Sequence, residues 1–122
     1  IVTEGVTLTI EPGTRVRANQ SWDDTVPSIY ILQGAKIHAN GTQDQPITFT
    51  SAMPTVAEGT RGLWGGIVIN GHAPCVTNGT DDGFPFGGDV PDDNSGVLRY
   101  VRVWYGGYGL QVNAVKLNAV GS

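Results

Sequence analysis

Three pairs of adjacent aspartates stand out in this 122-residue chain: Asp23 with Asp24, Asp81 with Asp82, and Asp92 with Asp93. Paired carboxylates bind Ca²⁺ or supply the acid and base for glycoside cleavage. Cleavage needs two carboxyl groups facing each other across roughly 5 to 9.5 Å, whereas neighbours on a strand point to opposite sides. The plain reading of the three pairs is therefore turn and loop residues that stabilise Asx bends. The set best suited to a cation is Asp89, Asp92, Asp93 and Asn94, in a glycine-rich stretch whose carbonyls could complete an oxygen shell. Its spacing matches neither the EF-hand loop nor the glycine-rich nonapeptide repeat. Ca²⁺ is the one cofactor these residues raise, and no other is expected.

Nucleophilic and imidazole chemistry find less support. His38 and His72 are the two histidines, one on the polar phase of a strand and the other beside a turn glycine, and they would form a site only if stacking brought them together. Cys75 stands alone and in no recognisable motif, which excludes an intrachain disulfide and metal sites built from several cysteines. No Gly-x-Ser-x-Gly elbow occurs.

Aromatic residues gather near loops: Trp22, Trp64, Phe84, Phe86, Trp104, Tyr105 and Tyr108. Sugar rings present apolar faces that stack on exposed Trp and Tyr, so Trp104, Tyr105 and Tyr108 make a candidate polysaccharide strip, with nearby aspartates as hydroxyl acceptors. The competing reading is that they cover the ends of a small core and seat its loops. An enzyme acting on a uronate would also need a cation for its carboxylate, and Arg99 and Arg102 are the clustered candidates.

The elements that must hold these residues read as strands. With 18 glycines, 7 prolines and 15% charged residues, the chain has the composition of a turn-rich fold. Apolar and polar residues alternate in short bursts: Val6, Leu8 and Ile10; Ala35, Ile37 and Ala39; Ile47 and Phe49. Alternation breaks between Leu98, Tyr100 and Val101, Val103, which places a bulge or corner there. Asn40 and Asn70 sit at strand ends before Gly, where stacked Asn side chains satisfy the bends of a coil.

Residues 2–14 (VTEGVTLTIEPGT) overlay residues 31–42 (ILQGAKIHANGT) at an offset of 29, with Gly5 on Gly34. Periods in this range mark solenoids, whose repeats bury their apolar faces only by stacking. Residues 64–74, 96–107 and 110–121 fit the pattern loosely, which gives about four to five coils. Two stretches interrupt it, residues 19–28 and 75–95, and both are expected to project as loops. The expected fold is all-β, a single domain over residues 1–122, either whole or part of a longer solenoid.

A net charge of −4, with seven Lys and Arg scattered along the chain, argues against nucleic acid as a partner. No run approaches the roughly 18 apolar residues of a membrane span.

Taken together, LTIEPGT (8–14), GAKIHANGTQDQPITFTSA (34–52), GLWGGIVINGHAP (62–74) and DDNSGVLRYVRVWYGG (92–107) resemble bacterial secreted and cell-surface proteins of the right-handed parallel β-helix, or pectin-lyase-like, fold. The resemblance implies a secreted or surface location and little about activity, since fold does not confer chemistry. It also makes the three Asn-x-Ser/Thr sequons at Asn19, Asn40 and Asn78 incidental. The leading expectation is a non-catalytic structural or binding module. The alternatives are a carbohydrate-binding module or a polysaccharide lyase or hydrolase, and a truncated product that retains only self-assembly. Strand-like sequence runs close to both termini without a polar cap, so self-association through the solenoid ends is expected.

Overall fold

The computed structural model describes residues 1–19, 26–108 and 113–121. Among them are eleven strands and no helix. In chain order these are β1 (Thr7–Ile10), β2 (Arg15–Ala18), β3 (Ser28–Ile31), β4 (Lys36–Asn40), β5 (Ile47–Ser51), β6 (Gly66–Asn70), β7 (Gly79–Asp81), β8 (Phe84–Phe86), β9 (Gly96–Arg99), β10 (Val101–Val103) and β11 (Val115–Asn118). Nine of them form three parallel sheets: sheet I is β1-β4-β9, sheet II is β2-β5-β10 and sheet III is β3-β6-β11. Each turn of the chain contributes one strand to each sheet in the same order. That is a short parallel β-helix.

The described residues make three coils, where the repeat pattern suggested four or five. Residues 64–74 and 110–121 contain β6 and β11, which are the third faces of the second and third coils and not coils of their own. The 29-residue offset is real: Thr7 pairs with Lys36 and Ile10 with Ala39. It does not recur, because the next step on the same sheet runs from Ile37 to Gly96 and takes in the long insertion at 75–95.

Inward-phase residues stack in register through the coils. Val16, Phe49 and Val103 form one stack, and Ile31, Ile69 and Leu117 another. In the middle coil Ile37, Ile47, Phe49 and Ile67 are wholly buried, because each has a coil on either side. In the third coil Leu117 is 60% exposed in the same phase. The break in alternation is a corner: Tyr100 adopts a left-handed φ of 49° between β9 and β10. The coils approach so closely at β9 that a Cβ on Gly96 would lie 1.9 Å from the carbonyl oxygen of Ile37, which only glycine avoids.

The insertion at 75–95 does not simply project as a loop. Within it β7 and β8 pair antiparallel around the two-residue turn Asp82-Gly83, both at positive φ, as a type I′ hairpin requires. The hairpin lies on the outer face of sheet III, where the Tyr30 and Phe84 rings are 5.1 Å apart and Val68 is 3% exposed. Most of the other predicted insertion, residues 20–25, lies outside the described residues, and Trp22, Asp23 and Asp24 with it.

Candidate functional site

Sheet II presents Arg15 and Arg17 outward from β2, because the alternation Arg-Val-Arg buries Val16 against Phe49. The mirror pattern Val-Arg-Val in β10 turns Arg102 to the same side. Register then fixes two rows along the stack of coils. Arg15, Thr48 and Arg102 are direct neighbours in one row. Arg17 and Thr50 are neighbours in the next, and Trp104, whose N–H donates to the Phe49 carbonyl at 2.9 Å, extends that row. The three arginines are exposed, whereas Thr48 and Thr50 between them are each only 6% exposed.

Beside these rows lies a cleft of about 330 Å³, lined in part by Arg15, Arg17, Thr50, Met53, Trp104 and Tyr105. Its walls are held by the backbone. The Trp64 indole N–H donates to the Trp104 carbonyl at 2.7 Å. The N–H groups of Gly62 and Leu63 donate to the carbonyls of Gly106 and Tyr105 at 3.0 and 2.8 Å. The Met53 N–H donates to the Ser51 hydroxyl at 3.1 Å. Trp104 is 40% exposed, its ring centroid 6.4 Å from that of half-buried Tyr105 and 6.0 Å from the Arg102 guanidinium.

The three-residue aromatic strip is thereby divided. Trp104 and Tyr105 share the cleft, and Tyr108 does not line it. Tyr105 takes a left-handed φ of 61°, the Gly106-Gly107 segment leads the chain away, and the Tyr108 N–H donates to the Trp64 carbonyl at 3.1 Å. The pairing of Arg99 with Arg102 does not hold either. The corner at Tyr100 puts Arg99 on the outer face of sheet I, 5.7 Å from the Tyr100 ring, and Arg102 on that of sheet II. The arginines that accompany Arg102 are Arg15 and Arg17. Their signal in the sequence was the Arg-Val-Arg alternation, readable as a site only once β2 and β10 were known to share a sheet.

The acidic set at 89–94 is engaged locally. The Asn94 side-chain carbonyl accepts from the Gly96 N–H at 2.9 Å, an Asx turn, and an Asp93 carboxylate oxygen accepts from the Ser95 hydroxyl at 3.2 Å. Asp93 is half-buried against Gly71, where an added Cβ would come within 2.5 Å of its carboxylate. Asp89 and Asp92 are exposed. Among the described residues no three His, Cys, Asp or Glu side chains are grouped as metal ligands. His38 faces outward on sheet I and His72 lies in the loop after β6, where its carbonyl accepts from the Val90 N–H at 3.1 Å. Cys75 is exposed, its thiol 3.3 Å from the Thr77 carbonyl.

A second polar cluster ties the hairpin to sheet III. Asp81, 7% exposed, accepts from Lys116 and from the Asn118 amide, each at 2.9 Å. The same amide donates to the fully buried Asn70 at 2.9 Å, and Asn70 donates to the Phe84 carbonyl at 3.3 Å. The asparagine stack is thus Asn70 on Asn118. Asn40 takes no part in it: it is exposed, and its register neighbour is Arg99. The Tyr30 hydroxyl donates to Asp82, and burial together with that carboxylate pushes the phenol up to about 12.

No helix is long and apolar enough to cross a membrane among the described residues. Comparison with curated proteins and with solved structures returns no match. The family model of the pectate-lyase-like β-helix domain matches residues 1–122, in keeping with the stacked parallel sheets. By that match the chain belongs to the pectate-lyase-like β-helix domain family.

Proposed function

We propose that this domain is a non-catalytic binding module, secreted or displayed at a cell surface, that holds polysaccharide against the outer face of sheet II. The observation that carries the reading is the cleft beside that face, where Trp104 and Tyr105 offer ring surface and the described lining holds neither a carboxylate nor an imidazole. Hydrolysis would need a facing pair of carboxyl groups, which the described lining of this cleft does not supply. Membership of a pectate-lyase-like family agrees with a carbohydrate-related or structural module.

The test is incubation of the purified chain, with and without Ca²⁺, against soluble and insoluble polysaccharides. Depletion from solution and release of reducing or unsaturated ends are scored together. Depletion without product is expected. Unsaturated ends would instead make this a lyase, with Tyr105 the first residue to replace, and absence of both would leave a structural scaffold.

A second reading, self-association, is favoured by the open stacks. Leu8, Ile10, Val16 and Ile29 line an opening of about 360 Å³ on the first coil, and Leu98, Leu117 and Val120 one of about 160 Å³ on the third. Light scattering at rising concentration should show assembly that Leu117→Lys abolishes. A concentration-independent monomer would overturn it.

A further inference from the structure

We infer that Asn78 is a site of spontaneous covalent modification: its side-chain amide is lost through a succinimide formed with Gly79, and the product loosens the β7-β8 hairpin.

Asn-Gly occurs three times, at 40–41, 70–71 and 78–79. Glycine leaves its nitrogen open to approach because no Cβ stands beside it, so the sequence makes all three pairs candidates. Their surroundings separate them. Asn70 is fully buried, its amide donates to the Phe84 carbonyl and accepts from Asn118, and the Gly71 N–H donates to the Asn118 carbonyl at 2.8 Å. Asn40 is exposed, but it ends β4, the middle strand of sheet I, and the N–H of buried Gly41 donates to the Arg99 carbonyl at 2.9 Å. At both places ring closure requires the end of a middle strand to open. Asn78 is exposed and precedes β7, outside any strand. Gly79 begins a two-stranded hairpin, whose end rung of Gly79 with Phe86 opens more readily than a strand held on both sides.

The reaction needs only water. The Gly79 nitrogen gives up its proton to solvent base and attacks the Asn78 Cγ. A new N–C bond closes a five-membered imide, and the amide nitrogen leaves as ammonia, taking up the proton. Water then opens the imide at either carbonyl. Breaking the bond just formed yields aspartate on the original backbone. Breaking the bond between Gly79 and the original main-chain carbonyl yields isoaspartate, whose chain runs on through Cβ and Cγ. One amide and one water give one carboxylic acid and one ammonia, with no change of oxidation state.

The position gives the reaction its consequence. The Asn78 side-chain oxygen lies 3.4 Å from the Cys75 sulfur and packs against Gly87, where an added Cβ would come within 2.3 Å of it. Gly87 roots the hairpin on sheet III: its N–H donates to the Gly71 carbonyl at 2.9 Å, and its own carbonyl accepts from the Gln33 amide at 2.8 Å. A carboxylate at position 78 puts charge on this contact. Isoaspartate also adds a methylene to the backbone just before Gly79, which pulls the Gly79 rung out of register with Phe86.

The full chain is aged at mildly alkaline pH, below its melting temperature, and fragment-ion mass spectrometry that separates aspartate from isoaspartate follows the three asparagines. Conversion at Asn78 should run at least about tenfold faster than at Asn40 or Asn70, and faster still as pH rises, because the attacking nitrogen must lose its proton. In urea the three rates should converge, since the folded chain no longer protects two of them. Amide hydrogen exchange in β7 and β8 should quicken in the aged chain. Asn78→Gln, which keeps an amide but moves it one methylene further out, should age without that change. Equal rates at the three sites in the folded chain, or faster conversion at Asn40, would overturn the inference. So would hairpin exchange that is unchanged once Asn78 has reacted, or that quickens equally in Asn78→Gln.

Discussion

The outer faces of sheets II and III are built on the same three coils and treat their charged groups in opposite ways. On sheet III every polar group described has an internal use: Asp81 joins Lys116 to Asn118, Asn118 satisfies the buried Asn70, and the Asp82-Gly83 hairpin covers the result. On sheet II three exposed arginines face outward without carboxylate partners among the described residues, around a cleft. A buried polar cluster holds its place because opening it leaves charges and amides unsatisfied. An exposed cluster of like charge gains nothing from folding. The first is structure, and the second is the face that we propose meets a ligand.

The largest effect is expected where the two faces share a core. Phe49→Ala empties the stack between Val16 and Val103 and should lower stability by about 3 to 5 kcal/mol in urea unfolding. Next comes the cluster on sheet III. Asp81→Ala strands Lys116, which is partly exposed, and Asn118, and should cost about 2 to 3 kcal/mol. If it costs no more than a surface substitution, the hairpin is not held as described.

The Tyr30 phenol gives a pH test of the same face. Burial first, and the Asp82 carboxylate second, raise its pKa from 10.0 to about 12. The fold therefore favours the neutral phenol. Its contribution is fully present below pH 10 and is lost as pH rises through about 12. With solvent screening at this partly exposed ring, the loss should be about 1 kcal/mol. Thermal melts should show that alkaline loss, and Tyr30→Phe should remove it. A Phe variant with the same loss would place its origin elsewhere.

The smallest stability effect belongs to sheet II. Arg15→Gln and Arg17→Gln should each change unfolding free energy by less than about 0.5 kcal/mol, because neither arginine has a charged partner among the described residues. A destabilisation comparable to that of Asp81→Ala would erase the distinction between the two faces.

Much of this architecture was legible in the residues. The alternation around Leu8, Ile37 and Phe49, the register of Gly5 with Gly34 and the corner at Tyr100 all follow from period-two burial and close coil stacking. The number of coils was not, because the chain between Ile37 and Gly96 carries a hairpin that hides the repeat. That hairpin had a signal in Asp82-Gly83, the pair that a two-residue turn demands. The arginine face was hidden for a different reason. Arg15 and Arg102 are remote in sequence and become neighbours of Thr48 only through register, which composition does not reveal. Asn40 and Asn70 look alike in sequence, each before a glycine, and only the pairing of Asn70 with Asn118 separates the buried one from the exposed one.

The claim at the centre of this account is that ligand meets sheet II and leaves sheet III undisturbed. Amide hydrogen exchange, measured with and without a soluble polysaccharide that the chain binds, tests it most directly. Slower exchange confined to β2, β5, β10 and the cleft wall near Met53 is the expected result. Protection centred on β7 and β8, or on the open coils at either end, would contradict it.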